Sequence, residues 1–280
     1  MRTPALALFG INMGEMADPA VMIRVATEAE AAGYESVWTG EHIVLPDPQA
    51  PPSPAPPETP MVDTAVALAY IASATSTIKL GSGIIILPQR QPAVLAKSLA
   101  SLDHLSGGRL LFGIGVGYLE PEMTACSVPM ERRGERADEY LEAMRLLWTA
   151  DAASFSGDFV TFDSVTANPK PAQAAIPVIV GGHSRRAARR AVETANGWYG
   201  FMRDLETAKA DIAQLEELAG ECDRPDSLGP LEISITPPGR LKPGDLEAYA
   251  ELGVDRLILQ PGGHRTLDEV LAYVEQYRPG

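Results

Sequence analysis

The stretch "IPVIVGGHSRRAARRA", residues 176–191, contains the unit from which we predict the fold. A run of apolar β-forming residues ends at Gly181-Gly182, and a helical pattern with four arginines in its first two turns begins at Ser184. A continuous apolar run, rather than an alternating one, is typical of a strand buried on both faces of a parallel sheet. The stretch therefore predicts one buried strand followed directly by one helix.

The same strand–helix unit is predicted eight times along the chain. The predicted strands are Leu6–Asn12, Ser36–Thr39, Lys79–Leu87, Leu110–Gly115, Pro177–Val180, Gly197–Phe201, Leu231–Ile235 and Arg256–Gln260. The predicted helices are Pro19–Ala32, Asp63–Ser76, Pro92–Leu105, Met130–Trp148, Ser184–Ala195, Leu205–Cys222, Pro243–Leu252 and Leu267–Tyr277. Eight such units predict an α/β fold, a single (β/α)8 TIM barrel domain over residues 1–280. The alternative is a doubly wound open sheet, but "FGINMGEMAD" is a poor match to its first glycine turn.

Two insertions interrupt this regularity. The first follows strand two and is the proline-rich segment 46–60, "PDPQAPPSPAPPETP", which we expect to form a wall or lid or else a disordered excursion. The second follows the fourth strand and its helix, over residues 150–175, and contains two short β-like pieces, "ASFSG" and "FVTFD". We expect these pieces to form a hairpin over one side of the barrel mouth.

Composition narrows the range of partners. The 23 basic and 37 acidic residues give a net charge of −14, which argues against binding to nucleic acid or to an anionic membrane surface. The cysteines, Cys126 and Cys222, are far apart, so neither a disulfide framework nor a thiolate metal site is expected. No apolar run is long enough to cross a bilayer. We expect a cytoplasmic protein that acts on a small molecule.

The active site of a barrel lies at the C-terminal ends of its strands. The residues predicted there are Asn12, Thr39, Glu41, His42, Ser82, Gly83, Gly115, Gly117, Tyr118, Gly181, Gly182, His183, Ser184, Met202, Arg203, Thr236, Gln260 and His264. They include no lysine for a Schiff base, no H-x-H pair or acid–histidine cluster for a metal, and no G-x-S-x-G elbow. A mouth with so few titratable groups predicts an organic cofactor.

The opening stretch is a candidate phosphate site. Gly181-Gly182 allows close approach of the backbone, and a helix beginning at Ser184 presents free N–H groups with a positive dipole end. The alternative is a tight strand–helix turn with a serine cap and a solvated basic face. A short motif of this kind leaves both interpretations open.

Two further stretches are candidates for chemistry. His42 follows Glu41 directly after the second strand, where an acid next to an imidazole suits proton transfer. The segment "GSGIIIL", residues 81–87, has small residues against which a planar ring could lie, although core packing explains them equally well. The segment "GIGVGY", residues 113–118, is only a weak match to a nucleotide-binding glycine loop.

Taken together, these segments resemble the luciferase-like monooxygenase superfamily of flavin and deazaflavin barrels. The similarity is greatest to its actinobacterial oxidoreductases that use coenzyme F420. The matching segments run in family order through nearly the whole chain: "SVWTGEHIVLP", "TIKLGSGIIILPQRQPAVLAKSLASLDHLSGGRLLFGIGVGYLEPEM", "RGERADEYLEAMRLLW", "PKPAQAAIPVIVGGHSRRAARRA" and "LGVDRLILQPGG".

The resemblance implies roles for particular residues. Glu41 and His42 occupy the place of an acid–histidine pair, with the histidine near the reactive edge of the deazaflavin and Glu41 orienting it. The bulge behind the ring, often with a cis peptide, corresponds to Ser82, Gly83 and Ile84.

The phosphate turn of the family corresponds to Gly181, Gly182, His183 and Ser184, with Arg185 and Arg186 meeting the phosphate or the glutamyl tail. Tyr118 is a departure, because sugar-phosphate dehydrogenases of the family have a glutamate there. A phenol donates a proton but is no carboxylate base at neutral pH, which argues against glucose-6-phosphate as substrate.

We therefore expect an oxidoreductase that transfers a hydride between coenzyme F420 and an organic substrate, with His42, Glu41 and Tyr118 as catalytic candidates and no metal. One alternative is an FMN-dependent monooxygenase with a separate reductase. A second is a deazaflavin-binding barrel without turnover, and a third is a phosphate-sugar lyase or isomerase. The resemblance also implies a homodimer or larger homo-oligomer, for which the apolar helix Asp63–Ser76 could supply an interface.

Overall fold

Eight parallel strands close into a ring in the computed structural model, which describes residues 3–262 and 266–279. In chain order the strands are β1 Ala5–Phe9, β2 Ser36–Thr39, β3 Lys79–Ser82, β4 Ile85–Ile86, β5 Leu110–Gly115, β6 Ala153–Ser156, β7 Thr161–Val165, β8 Val178–Gly181, β9 Gly197–Phe201, β10 Glu232–Thr236 and β11 Arg256–Leu259. The ring runs from β1 through β2, β3, β5, β8, β9, β10 and β11 back to β1. The predicted (β/α)8 barrel is confirmed. His264 lies outside the described residues.

Helices follow the strands around the outside of the ring. They are α1 Pro19–Ala32, α2 Thr64–Ala74, α3 Pro92–Ser106, α4 Glu120–Ala125, α5 Arg133–Thr149, α6 Arg185–Thr194, α7 Leu205–Glu221, α8 Asp245–Glu251 and α9 Leu267–Gln276. The sequence located α1 correctly, because Asp18 caps its start and Gly33 ends it with φ +92°. None of the helices in the described ranges combines the length and apolar character that crossing a membrane requires.

The structure corrects three predicted boundaries. The first strand ends at Phe9, short of the predicted Asn12. The third predicted strand divides into β3 and β4. The helix predicted over Met130–Trp148 begins only at Arg133, and the short helix α4, which sequence reasoning missed, precedes it.

The second insertion forms the predicted hairpin from β6 and β7. The hairpin packs along the outside of α5, where Glu139 accepts hydrogen bonds from the backbone N–H groups of Asp158, Phe159 and Val160. Its turn reaches the N-terminal end of α5 through an ion pair between Asp158 and Arg132. These contacts attach the hairpin to α5.

The proline-rich loop 46–60 has no regular structure and is mostly exposed. Asn12, which follows the first strand, binds the backbone before and after the loop and so holds its two ends together. Asn12 Nδ2 donates to the carbonyls of Gly40 and Val62, and Asn12 Oδ1 accepts from the Gly40 N–H at 2.9 Å. The buried Asn12 is thus a structural residue of the mouth rather than a free polar group.

The inside of the ring is filled by large side chains that face small ones. Trp38 is fully buried there, with Phe9, Tyr199 and Ile179 in the same cluster. A Cβ added at Gly81 on the neighbouring strand would lie 2.3 Å from the Trp38 ring. A closed ring of eight strands leaves just enough interior for such packing, so the indole and the missing side chain are complementary.

A buried ion cluster closes the N-terminal end of the ring. The Arg256 side chain on β11 is 2% exposed and forms a two-point ion pair with Glu35, at 2.8 and 3.0 Å. It also bonds Glu232 at 2.9 Å and Ser234 at 2.8 Å, and it lies over the Trp38 ring. Burial alone would raise the pKa of Glu35, but the hydrogen bonds and charge of Arg256 outweigh burial and lower it to about 2.

We predict that Glu35 stabilises the fold in a pH-dependent way. Because its folded-state pKa lies below the unfolded value near 4.5, the stabilisation is complete above that value and is lost as pH falls towards 2. Glu35→Gln should lower the free energy of unfolding at neutral pH by on the order of 3 kcal/mol. Urea unfolding at several pH values measures this difference, which should shrink as the medium becomes more acidic.

Glu275→Gln is the matched control, because its carboxylate is 68% exposed and pairs with Arg278 on the surface. It should leave the free energy of unfolding nearly unchanged. A difference between wild type and Glu35→Gln that stays constant from neutral to strongly acidic pH would contradict the assigned role of Glu35.

Candidate active site

The C-terminal ends of the strands bring together His42, Tyr118 and a residue that sequence reasoning missed, Glu122. His42 follows β2, Tyr118 follows β5, and Glu122 lies on α4. His42 Nδ1 is 3.0 Å from Glu122 Oε2, and its Nε2 is 3.5 Å from the Tyr118 hydroxyl. The rings of His42 and Tyr118 meet edge to face, with centroids 5.9 Å apart. The three side chains form one hydrogen-bonded row from the protein interior to the mouth.

The inner end of this row is a buried carboxylate. The Glu122 side chain has no exposed area, while 10% of the His42 side chain is exposed. The other Glu122 oxygen, Oε1, accepts a hydrogen bond from the Ile43 N–H at 2.5 Å. The carboxylate is therefore held by the backbone next to His42 as well as by the imidazole itself.

Glu41 does not orient His42, so that expectation is wrong. The Glu41 carboxylate pairs with Arg90 at 3.0 Å and accepts from the Ile86 N–H at 3.1 Å. Arg90 in turn pairs with Asp63 at 2.8 Å. Burial raises the pKa of Glu41, and the Arg90 guanidinium opposes that rise. Glu41 thus joins the loop after β2 to the segment around β4 and to α2, instead of serving the imidazole.

The sequence contains a local signal for the start of α4, the helix that positions Glu122. The segment "LEPEM" places a proline and two acids in the first turn of α4. Proline and acidic residues are both favoured at helix N-termini. The helix start was therefore predictable, but its contact with a histidine 80 residues away was not.

The bulge expected at Ser82–Gly83–Ile84 is present between β3 and β4, and the Gly83–Ile84 peptide is cis. Ser82 Oγ accepts from the Gly113 N–H and donates to the Gly113 carbonyl, at 2.8 and 2.9 Å. A Cβ added at Gly115 would lie 2.3 Å from Ile84 Cδ1. The glycines of "GIGVGY" thus make room for the bulge, which explains why this segment is a weak match to a nucleotide loop.

The Gly181-Gly182 turn joins β8 to α6 as predicted. Gly182 has φ +120°, a conformation that disfavours other residues, and Ser184 Oγ accepts from the Ala187 N–H as the helix cap. His183 Nε2 accepts from the Phe201 N–H at 3.2 Å. Desolvation and the nearby Arg203 lower the pKa of His183, which favours the neutral ring that this bond requires. His183 therefore fastens the turn to β9.

The arginines that follow the turn have different partners. Arg185 pairs with Glu217 and Glu221 of α7, each at 3.0 Å. Arg189 pairs with Glu193 and Glu221, and Arg190 pairs with Asp138 of α5. The expectation that Arg185 meets a phosphate is therefore not supported by its contacts, since carboxylates of α7 already bind its guanidinium.

Arg186 differs from these three, because no carboxylate of residues 3–262 and 266–279 lies within ion-pair distance of it. Arg186 lines a groove of about 470 Å³ between α5 and α6, together with Ser184 and Arg133. Arg133 donates to the carbonyls of Gly117 and Met130, which leave its charge uncompensated. The groove next to the Gly-Gly turn thus contains two guanidinium groups without an acidic partner in the described part of the chain.

Comparison with known proteins identifies the wider group. Residues 3–274 match the luciferase-like monooxygenase family. An uncharacterised protein of Mycobacterium tuberculosis strain H37Rv is 31% identical, over 97% of this chain and 95% of its own length. The FMNH2-dependent dimethylsulfone monooxygenase of Pseudomonas putida is 36% identical over 46% of this chain and 36% of its own length.

The fold is also that of a solved F420-dependent secondary alcohol dehydrogenase in complex with an F420–acetone adduct. The two structures superpose with a TM-score of 0.78 at 17% identity, covering 98% of each chain. At this identity the likeness shows the shared fold.

We predict that the groove binds an anion through Arg186. Arg186→Ala should weaken binding of inorganic pyrophosphate about tenfold, because a hydrogen bond to a charged group contributes roughly 1.5–3 kcal/mol. Isothermal titration calorimetry at low salt measures this affinity. Arg185→Ala is the matched control, since its guanidinium pairs with α7, and it should change the affinity by less than about twofold. Equal losses in the two variants would contradict the assignment.

Proposed function

We propose a function for this chain from its membership of the luciferase-like monooxygenase family, to which it belongs over residues 3–274. We propose that it is a cytoplasmic oxidoreductase that binds coenzyme F420 and transfers a hydride between the deazaflavin and an organic substrate. The observation that carries the proposal is the uncompensated charge of Arg133 and Arg186 beside the Gly-Gly turn. The free thiols of Cys126 and Cys222 fit a reducing compartment.

The groove fits the anionic part of F420 by charge and by position. F420 has a phosphodiester followed by glutamyl carboxylates, so it offers several negative groups in a row. Ser184 at the helix start, Arg186 and Arg133 would hold the phosphate, and the groove continues along α6 as far as Thr194. In a protein with a net charge of −14, this local positive charge favours an acidic ligand.

The row of side chains at the mouth suits proton transfer next to a redox cofactor. A bound deazaflavin supplies the hydride chemistry, and the protein supplies orientation and proton handling. His42 holds or moves a proton at Nε2, which faces the mouth beside Tyr118. Desolvation, together with the charge of Glu122, raises the pKa of Tyr118, so the phenol stays protonated and acts as a donor.

FMN is the second candidate cofactor, because the dimethylsulfone monooxygenase that resembles part of this chain is FMNH2-dependent. FMN has a single phosphate and no glutamyl tail. It would use the Gly-Gly turn and Ser184 but leave the far part of the groove without a ligand. The protein would then act as a monooxygenase with a separate reductase.

We predict that the purified protein binds F420 at micromolar or lower concentration and binds FMN at least about tenfold more weakly. The reason is that FMN ends at its phosphate, whereas the glutamyl carboxylates of F420 would add hydrogen bonds further along the groove, and one charge-assisted hydrogen bond is equivalent to about a factor of ten. Parallel fluorescence titrations measure the two affinities. A preference for FMN would contradict F420 dependence, and binding of neither would remove the basis of the cofactor proposal.

We also propose that the chain forms a homodimer through α2 and α3. These helices pack against each other and expose apolar side chains on their outer faces, with Val66 61%, Tyr70 45% and Val94 66% exposed. Exposed apolar side chains on two adjacent helices are unfavourable in water and are typical of a subunit interface.

We predict that wild-type protein sediments at twice the mass of the chain and that Val66→Glu combined with Val94→Glu yields monomers. Burying two carboxylates in an apolar interface is unfavourable by several kcal/mol, enough to dissociate the pair at micromolar concentration. Analytical ultracentrifugation measures the mass. Leu105→Glu is the control, because Leu105 is 78% exposed at the other end of α3. A monomeric wild type would exclude the dimer.

A further inference from the structure

We infer that Glu122 is a positioning residue that fixes the tautomer of His42. In this arrangement His42 Nδ1 carries the hydrogen and donates it to Glu122, so that Nε2 presents a lone pair to a hydroxyl at the mouth. The inference deepens the proposed function, on which its consequence for turnover rests. The tautomer itself follows from the geometry of the described residues.

Both carboxylate oxygens of Glu122 face nitrogen atoms. Oε1 accepts from the backbone N–H of Ile43 at 2.5 Å, which can only donate. Oε2 lies 3.0 Å from His42 Nδ1. With Glu122 as a carboxylate, both of its oxygens can only accept, and the hydrogen between Oε2 and Nδ1 then belongs to the imidazole.

The Glu122 side chain has little freedom to move. Its side chain is completely buried, and α4 follows directly on the loop after β5. The neighbouring carboxylate, Glu41, is already bound to Arg90 and to the Ile86 N–H. Among the described residues, Glu122 is therefore the carboxylate that faces His42.

The opposite edge of the His42 ring, which carries Nε2, faces the mouth. Nε2 is directed towards the Tyr118 hydroxyl at 3.5 Å, and Tyr118 is 49% exposed at the mouth. A neutral imidazole that donates from Nδ1 accepts at Nε2. The row therefore has a direction: a proton arriving from a hydroxyl at the mouth reaches Nε2, while Glu122 stabilises the positive charge that develops on the ring.

Glu122→Gln tests this assignment because a glutamine has one carbonyl oxygen where glutamate has two acceptors. If that oxygen continues to accept from Ile43, the amide NH2 faces His42 and donates to Nδ1. The imidazole must then carry its hydrogen on Nε2, and the lone pair at the mouth is lost. Glu120→Gln is the matched control, since Glu120 makes the same change two residues earlier on the exposed side of α4.

The experiment is nitrogen NMR of protein labelled with ¹⁵N-histidine, with the His42 signals assigned by their loss in His42→Ala. At a pH where the ring is neutral, wild type and Glu120→Gln should show the Nδ1–H tautomer, and Glu122→Gln should shift to Nε2–H. A wild-type His42 in the Nε2–H tautomer would overturn the inference, even if Glu122→Gln does not fold. A folded Glu122→Gln with an unchanged tautomer would overturn it as well.

A second measurement separates this inference from the cofactor proposal. With F420 and an active substrate, Glu122→Gln should lower kcat about 100-fold, close to the loss in His42→Ala, with KM and F420 affinity changed less than about twofold. A loss confined to KM would contradict positioning. If the protein binds neither F420 nor FMN, the proposed function fails, and the tautomer measured by NMR still decides the inference.

Discussion

The interior of a closed ring of eight strands has to be filled, and most features of this protein depend on how that is done. Trp38 occupies the middle of the ring, which requires a residue without a side chain at Gly81. Arg256 closes the N-terminal end by pairing with Glu35 and Glu232 beneath the indole. At the opposite end the bulge places Ile84 against Gly115 and Gly181. Each end of the ring is therefore built around one large inward-facing side chain.

This packing determines which groups remain free at the mouth. The bulge brings the Ile86 N–H within reach of Glu41, and Arg90 from the following segment neutralises the same carboxylate. Glu41 is thereby bound to Arg90 and to the Ile86 N–H, and Glu122 is the carboxylate that contacts His42. The arginines after β8 are likewise paired with opposite charges. Carboxylates of α5 and α7 bind Arg185, Arg189 and Arg190.

Two features at the mouth make up the candidate site. One feature is an imidazole held from behind by a buried carboxylate, and the other is a groove with two uncompensated guanidiniums. Both lie at the same end of the barrel, because every strand of the ring runs in the same direction and its C-terminal end opens on that face. An imidazole backed by a carboxylate and a groove with uncompensated positive charge at the same end of the barrel suit the proposed redox chemistry on a small molecule, which agrees with membership of the luciferase-like monooxygenase family.

The elements of the fold were predictable from the amino-acid sequence, because the signals for strands and helices are local. Apolar runs, the Asp18 cap, the turn at Gly33 and the Gly-Gly turn each act within a few residues, so the eight units and the barrel could be predicted. The partners of the charged side chains depend on how the elements pack, because most of these contacts join segments that are distant in sequence. Glu41 and His42 are adjacent in sequence and yet have different partners, Arg90 and Glu122. The contact of His42 with Glu122 spans 80 residues and exists only because the ring closes the two loops onto each other.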